Sequence, residues 1–280
     1  MAFIPNDSGE VSKDLALVSI EEIHDGNISK INFEESCILA PGIYYITYEG
    51  LPEIVDSQMG IIDGKSSLAR LGVMVTKTSD MLLQSKSNPK PLFVRTLMPI
   101  KMYKDMPIAQ ILIDDSSVLT NEENQGTITI EGSEENLTLN SKVYKYNLKS
   151  GEYLDPRSDN SRFLEEIDID SEGLTLEPLT LYLALTNEVV SVDGCIARVS
   201  TPGIQSPTDM RFTTYSIEHA SLIKDGWIGK IALEINGYVG GSKLYPNMEI
   251  ATIDSLGNTS KKSIKEQSKY QDQQTPAQRK

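Results

Sequence analysis

The segment MYKDMPIAQILID at 102–114 returns as LYPNMEIATIDSL at 244–256, with Met106 over Met248, Ile108 over Ile250 and Ala109 over Ala251. Upstream of each copy, LAPGIYYITYE at 39–49 resembles LEPLTLYLALTNE at 176–188, with Pro41 over Pro178. Both pairs run in the same order at nearly the same separation. A chain that carries one pattern twice is constrained to fold twice on one plan, and 280 residues give each copy enough length for a core of its own. The copies read as β structure. GIYYITYEG at 42–50, QILI at 110–113, TITIEG at 127–132, LTLYLALT at 179–186 and GKIALEIN at 229–236 alternate at period two or form short apolar runs. They are rich in Ile, Val, Tyr and Thr and are bounded by Gly, Pro, Asn and Asp. Helical periodicity is scarce, and VSKDLALVSIEEIHDG at 11–26 is the best candidate for a helix. The prediction is an all-β sandwich, barrel or jelly roll in two domains, residues 1–120 and 121–256, with a polar tail over 257–280.

Charge and composition narrow the partners. A formal net charge of -14 argues against coating DNA or RNA, which rests on counterion release by clustered Lys and Arg. A nucleotide needs only a local cluster. Two distant cysteines, Cys37 and Cys195, make neither a disulfide framework nor a metal-ligand pattern, and Cys195 in CIARV reads as a small apolar strand residue. Two histidines, His24 and His219, are too few for a His-based zinc site. The N-terminus has no signal-peptide core and no apolar run approaches membrane-span length, so a cytoplasmic setting is expected.

The densest anion-holding segment is GKSSLARLG at 64–72. Gly64 turns the backbone without a Cβ penalty, Ser66 and Ser67 bring hydroxyls together with their N–H groups, and Leu68, Ala69 and Arg70 favour a helical turn. Lys65 and Arg70 add positive charge, and Arg70 offers a planar fork suited to phosphate oxygens. The other candidate is KDGWIGKIALEIN at 224–236. Asp225-Gly226 forms a turn. Beyond it, Ile231, Leu233 and Ile235 face one way, and Lys230, Ala232, Glu234 and Asn236 face the other. Glu234 is either a solvated strand residue or a general base. Trp227 either packs under the hairpin or stacks on a ligand.

These segments resemble the dCTP deaminase and dUTPase superfamily, and in particular its tandem, double-domain deaminases. GKSSLARLG followed by VMVT is similar to the signature GRSSLARLG, DGWIGKIALEIN to DPGWxGxIxLEFxN, LYPNMEIATI to LxPGMxIxxL, and SKYQDQQTP to a C-terminal KYQxQ tail. RTLMPIKMYKDMPIAQILI at 95–113 is similar to the first half of the tandem deaminases. The resemblance spans about residues 36–114 and 143–278.

The resemblance implies two tandem dUTPase-like distorted β-jelly-roll domains that oligomerise, a trimer favoured. The first carries the serine-rich phosphate loop, the second the glutamate hairpin, and the tail closes over the nucleotide. Each copy holds half a site: the first reads NPKPLFVRTLMP where the glutamate strand belongs, and the second reads RVSTPGIQSPTDMRF where the serine loop belongs. By resemblance, Lys65, Ser66, Ser67 and Arg70 hold phosphates, Ser66 and Arg70 also serving the chemistry. Glu234 is the catalytic base in converting dCTP to dUTP and ammonia. Ala220 lies by the base, Trp227 is a further candidate for the nucleotide site, and Lys269, Tyr270 and Gln273 close over the nucleotide. Mg²⁺ accompanies the triphosphate and no zinc takes part. The chain departs from the family at Leu222, where an arginine contacts the glutamate, at Lys224, where an aspartate sits, and at Lys65, which replaces an arginine. Two alternatives follow: dUTP hydrolysis to dUMP and pyrophosphate, with Asp225 near the water-positioning place, or a catalytically silent nucleotide-binding protein.

Overall fold

Alternating residues become strands along almost the whole chain. The computed structural model describes residues 12–75, 82–84, 91–115, 126–132, 136–200, 215–218, 223, 225–237, 242–258 and 276. The first half contains β1 (Ser12–His24), β2 (Asn27–Ile31), β3 (Ser36–Leu39), β4 (Gly42–Glu49), β5 (Gln58–Gly64), the short helix α1 (Ser66–Ala69), β6 (Val73–Val75), β7 (Leu82–Gln84), β8 (Leu92–Thr96), β9 (Ile100–Tyr103) and β10 (Pro107–Asp115). The second contains β11 (Thr127–Ile130), β12 (Asn136–Tyr146), β13 (Leu164–Asp168), β14 (Leu174–Thr175), β15 (Leu181–Thr186), β16 (Val190–Asp193), β17 (Cys195–Ser200), β18 (Tyr215–Glu218), β19 (Ile228–Gly229), β20 (Ala232–Gly237), β21 (Lys243–Leu244) and β22 (Glu249–Asn258).

The two halves are wired alike. One sheet runs β6-β8-β4-β1-β10-β5-β7 with β2 hung on β1, and the other runs β18-β20-β15-β12-β22-β17 with β13 hung on β12. Small ladders β3-β9 and β14-β21 complete the match. Even the irregularities recur. In β1 the register shifts between Leu15 and Ala16 and again between Leu17 and Ser19. In β12 it shifts between Leu137 and Thr138 and between Leu139 and Val143. The turns before β10 and β22 correspond atom by atom. Tyr103 N–H donates to Met106 Sδ at 3.2 Å and Tyr245 N–H to Met248 Sδ at 3.3 Å. Asp105 (φ 60°) and Asn247 (φ 61°) both sit in the left-handed region, which Asp and Asn tolerate better than most residues. All of this is an all-β fold of the distorted jelly-roll kind.

Residues 11–26 are not the expected helix. Ser12–His24 is a strand, paired with β10 on one edge and β4 on the other, and Asp25 and Gly26 turn the chain into β2. The misleading signal has a physical source. The bulge after Leu17 inserts Val18 into the period-two pattern, so the buried Leu15, Leu17 and Ile20 no longer follow strict alternation. Among the described residues, helix is confined to α1 and a 3-10 turn at Ser161–Phe163.

The cores are shared unequally. Leu15, Leu17, Tyr44, Ile46, Leu68, Leu71, Met102 and Ile108 belong to the first, and Tyr146, Leu154, Phe163, Leu181 and Leu183 from the second half join them. Tyr182, Ala184, Leu233 and Ile235 face the second core instead. A strand of the second half therefore has one face on each core. The segment after β12 fastens the halves: Leu154 bonds Pro99 O at 2.9 Å and accepts from Lys101 N–H at 2.8 Å, and Tyr103 Oη donates to Asp155 at 2.8 Å.

Candidate functional site

The serine segment is built as its residue types suggest, but its cations are engaged. Lys65 is extended, and its carbonyl accepts from the N–H groups of Leu68 (2.9 Å) and Ala69 (3.0 Å), so Ser66 and Ser67 open the turn. Leu68 and Ala69 are buried, whereas Ser66 and Ser67 stay partly exposed. Gly72 ends the segment at φ 81°, and its N–H bonds Ala69 O at 2.7 Å. The Lys65 ammonium is ion-paired with Asp14 of β1. Arg70 is only 2% exposed, and its Nη1 donates to the backbone carbonyl of Pro276 at 3.1 Å. The C-terminal tail thus returns to the serine segment at this one described residue.

The glutamate strand follows the predicted alternation. Ile231, Leu233 and Ile235 join the second core, and Glu234, 1% exposed, lies on the opposite face. In register, Glu234 stands opposite Leu183, and Asn236 opposite Leu181. Directly paired residues share a face, so Glu234 and Asn236 lie on the side of β15 that joins the first core. The serine segment reaches that side: a Cβ built on Gly72 would lie 3.3 Å from Leu181 Cδ2. The end of the serine segment therefore reaches, within one chain, the sheet face that carries Glu234 and Asn236.

That face opens to solvent at one end. Tyr144 is in register with Leu183, and a cleft of about 160 Å³ is lined by Asn140, Lys142, Tyr144, Leu185 and Lys230. Lys142 pairs with Glu166, which also accepts from Tyr144 Oη at 2.8 Å and whose carboxyl is held below its ordinary range, first by the Lys142 hydrogen bond and then by that of Tyr144. That Lys230 and Asn236 share a strand face with Glu234 was legible from alternation alone. Nothing in the sequence pointed to the lysine and tyrosine of β12.

Other candidates fall elsewhere. Trp227 is half-buried and packs on the second core. The Asp225 carboxylate accepts from Gly194 N–H at 2.7 Å, which ties it to the β16–β17 link. His219, Ala220, Leu222, Lys224, Lys269, Tyr270 and Gln273 lie outside the described residues. In the first half, the strand wired like β20 is β8. There Tyr45 pairs with Phe93 as Leu183 pairs with Glu234, and the two rings sit edge to face at 4.2 Å. An aromatic contact replaces the carboxylate.

No protein-family model and no curated protein matches the chain by sequence. Among solved structures, the chain is similar to 2'-deoxycytidine 5'-triphosphate deaminase from Agrobacterium tumefaciens, with a TM-score of 0.67 and 16% identity over 92% of this chain and 93% of that one. A likeness at this identity establishes the fold.

Proposed function

We propose that this chain deaminates dCTP to dUTP and ammonia, the activity named for the Agrobacterium structure. One observation supports the reading: Gly72, at the end of the serine segment, approaches Leu181 on the sheet face that also carries the buried Glu234, inside a single chain. Burying a carboxyl group costs several kcal/mol unless its surroundings compensate. Glu234 is also the residue that the resemblance makes the catalytic base, and its burial suits a base kept from bulk water.

In this reading Ser66 and Ser67 receive the phosphates through their hydroxyl and N–H groups, with Lys65 and Arg70 supplying positive charge. Glu234 accepts a proton from water as its oxygen attacks C4 of cytosine. It then passes that proton to the departing amino group, which leaves as ammonia. The base lies over the β15–β20 face, and the bond from Arg70 to the Pro276 carbonyl is in keeping with the closing role that the resemblance gives the tail. Among the described residues no three His, Cys, Asp or Glu side chains converge on a possible metal site. In the same reading, following the resemblance, Mg²⁺ accompanies the triphosphate and neutralises its charge. Oligomerisation, as a trimer, is part of the same reading, and light scattering measures it.

The decisive assay incubates the chain with dCTP and Mg²⁺ and follows ammonia. Release that disappears in Glu234→Gln supports the proposal, and no release at any concentration overturns it. One observation favours a competitor. Lys65 is already paired with Asp14, which suits a silent nucleotide-binding protein, and that protein would show a thermal shift with dCTP but no ammonia. Hydrolysis of dUTP is less well supported, because the Asp225 carboxylate is committed to Gly194.

A further inference from the structure

Asn236 is 2% exposed, and neither its Oδ1 nor its Nδ2 has a hydrogen-bond partner among the described residues. Two other asparagines are treated differently. Asn160, 4% exposed, donates to the carbonyls of Asp155 (2.8 Å) and Ser158 (3.2 Å) and accepts from Asp155 N–H at 3.0 Å. The Asn187 amide donates to Thr138, Leu139 and Asn247 at 2.9–3.0 Å. A buried amide with both ends unmet is costly, and a leucine would fill the same place without that cost.

Its position says what the amide is for. Asn236 lies two residues beyond Glu234 on the same face of β20, opposite Leu181, the residue that the serine segment touches through Gly72. Residues two apart on a strand face are separated by about 7 Å, a span that a six-membered ring held at one edge can bridge. We infer that Asn236 is a base-contact residue, whose carboxamide holds the hydrogen-bonding edge of a pyrimidine next to the carbon that Glu234 serves. The inference rests on the nucleotide reading above. In cytosine, an acceptor (N3) and a donor (the 4-amino group) flank the reacting carbon; in uracil the donor is N3–H and the acceptor O4. A carboxamide offers one donor and one acceptor side by side, and a half-turn about its last bond exchanges them. Asn236 therefore holds both bases, substrate and product alike, and leaves the choice between them to other groups.

The test uses the full chain, Asn236→Leu and, as a variant that adds no volume, Asn236→Ala. Calorimetry with Mg²⁺ measures binding of dCTP, dUTP and inorganic tripolyphosphate, and a melting curve is taken without ligand. The wild type is expected to bind dCTP and dUTP within about tenfold of each other. Both variants are expected to lose about tenfold or more for each nucleotide while keeping tripolyphosphate within about twofold. Asn236→Leu is also expected to melt at or above the wild-type temperature, since it removes an unmet buried amide. Nucleotide binding unchanged in the variants overturns the role of Asn236 and leaves the nucleotide site standing. So does a fall in melting temperature for Asn236→Leu with nucleotide and tripolyphosphate binding lost together, which marks a structural amide. A wild type that binds neither nucleotide overturns the site itself, and Asn236 with it.

Discussion

Glu234 sits at 1% exposure on a strand whose other face is wholly apolar. Glutamine keeps its shape and removes its proton-accepting power. Glu234→Gln is expected to cut ammonia release by about 10²–10⁴-fold, while the melting temperature changes little because the side chain keeps its shape. A fall in stability equal to the fall in rate would make the carboxylate structural. Lys65 offers a second test. Its ammonium is spoken for by Asp14, in a pair 24% and 31% exposed at the two side chains, where an ion pair is worth up to about 1 kcal/mol. Asp14→Asn is expected to leave stability within that range and to tighten tripolyphosphate binding several-fold, with a steeper salt dependence. Equal affinity in the variant would remove Lys65 from the anion site. Ser66, Arg70 and Glu234 could be read from the sequence because their motifs are local. The Lys65–Asp14 pair could not, since it depends on β1 and β5 lying on either side of β10, and neither could the bond from Arg70 to Pro276, which links a turn to a distant carbonyl.

Strand β1 shows why local periodicity misleads. The sequence read 11–26 as helical because the bulge at Val18 disturbs the alternation, yet the strand carries a signature that was legible. Leu15, Leu17 and Ser19 are matched by Leu137, Leu139 and Ser141, an L-x-L-x-S pattern at the start of the corresponding strands β1 and β12. All four leucines are fully buried. The repeat identified β4 with β15 and β10 with β22 correctly; extended to this pattern, it would have made β1 a strand. The bulge near Val18, itself 41% exposed, sets which residues face inward. Deleting Val18 slips one arm of the strand by a residue and turns Leu15 and Leu17 toward solvent. Loss of more than about 3 kcal/mol is expected in urea unfolding, whereas Val18→Thr should stay within about 0.5 kcal/mol. Gly72 matters for another reason. At φ 81°, with Leu97 Cβ 3.2 Å from a built Cβ, alanine is both strained and crowded, so Gly72→Ala is expected to cost about 1–3 kcal/mol. Because Gly72 is where the serine segment meets β15, nucleotide affinity should fall with it. A stable Gly72→Ala variant with wild-type affinity would separate that contact from the site.

The whole molecule uses one wiring twice for unequal ends. The face of β20 that carries Glu234 looks onto the first core, while the corresponding face of β8 carries Phe93 against Tyr45. A shared core also means that the halves should unfold together, so a stability measurement reports on both. Its pH dependence follows from groups buried in each. Burial is the first cause that raises the Tyr44 phenol and the Tyr182 phenol above their ordinary 10.0 and the Cys195 thiol above 9.0. All three side chains are at most 1% exposed. Below about pH 9 both folded and unfolded chains keep these protons, and the groups make no difference. As pH rises through 9 and then 10, the unfolded chain releases protons that the native chain retains, so stability falls, by up to about 1.4 kcal/mol per pH unit for each group titrating. The urea midpoint is therefore expected to hold near neutrality and to drop progressively between about pH 9 and 11, as a single transition. Cys195→Ala removes the group that titrates first, so its midpoint, lower at neutral pH for lost packing, should decline less between pH 9 and 10. A midpoint flat to pH 11 would show that these groups meet solvent in the native state. Two separate transitions would show that Leu181 and Leu183 do not bind the halves into one cooperative unit, and the composite site would then lack the rigid frame on which Glu234 and the serine segment depend.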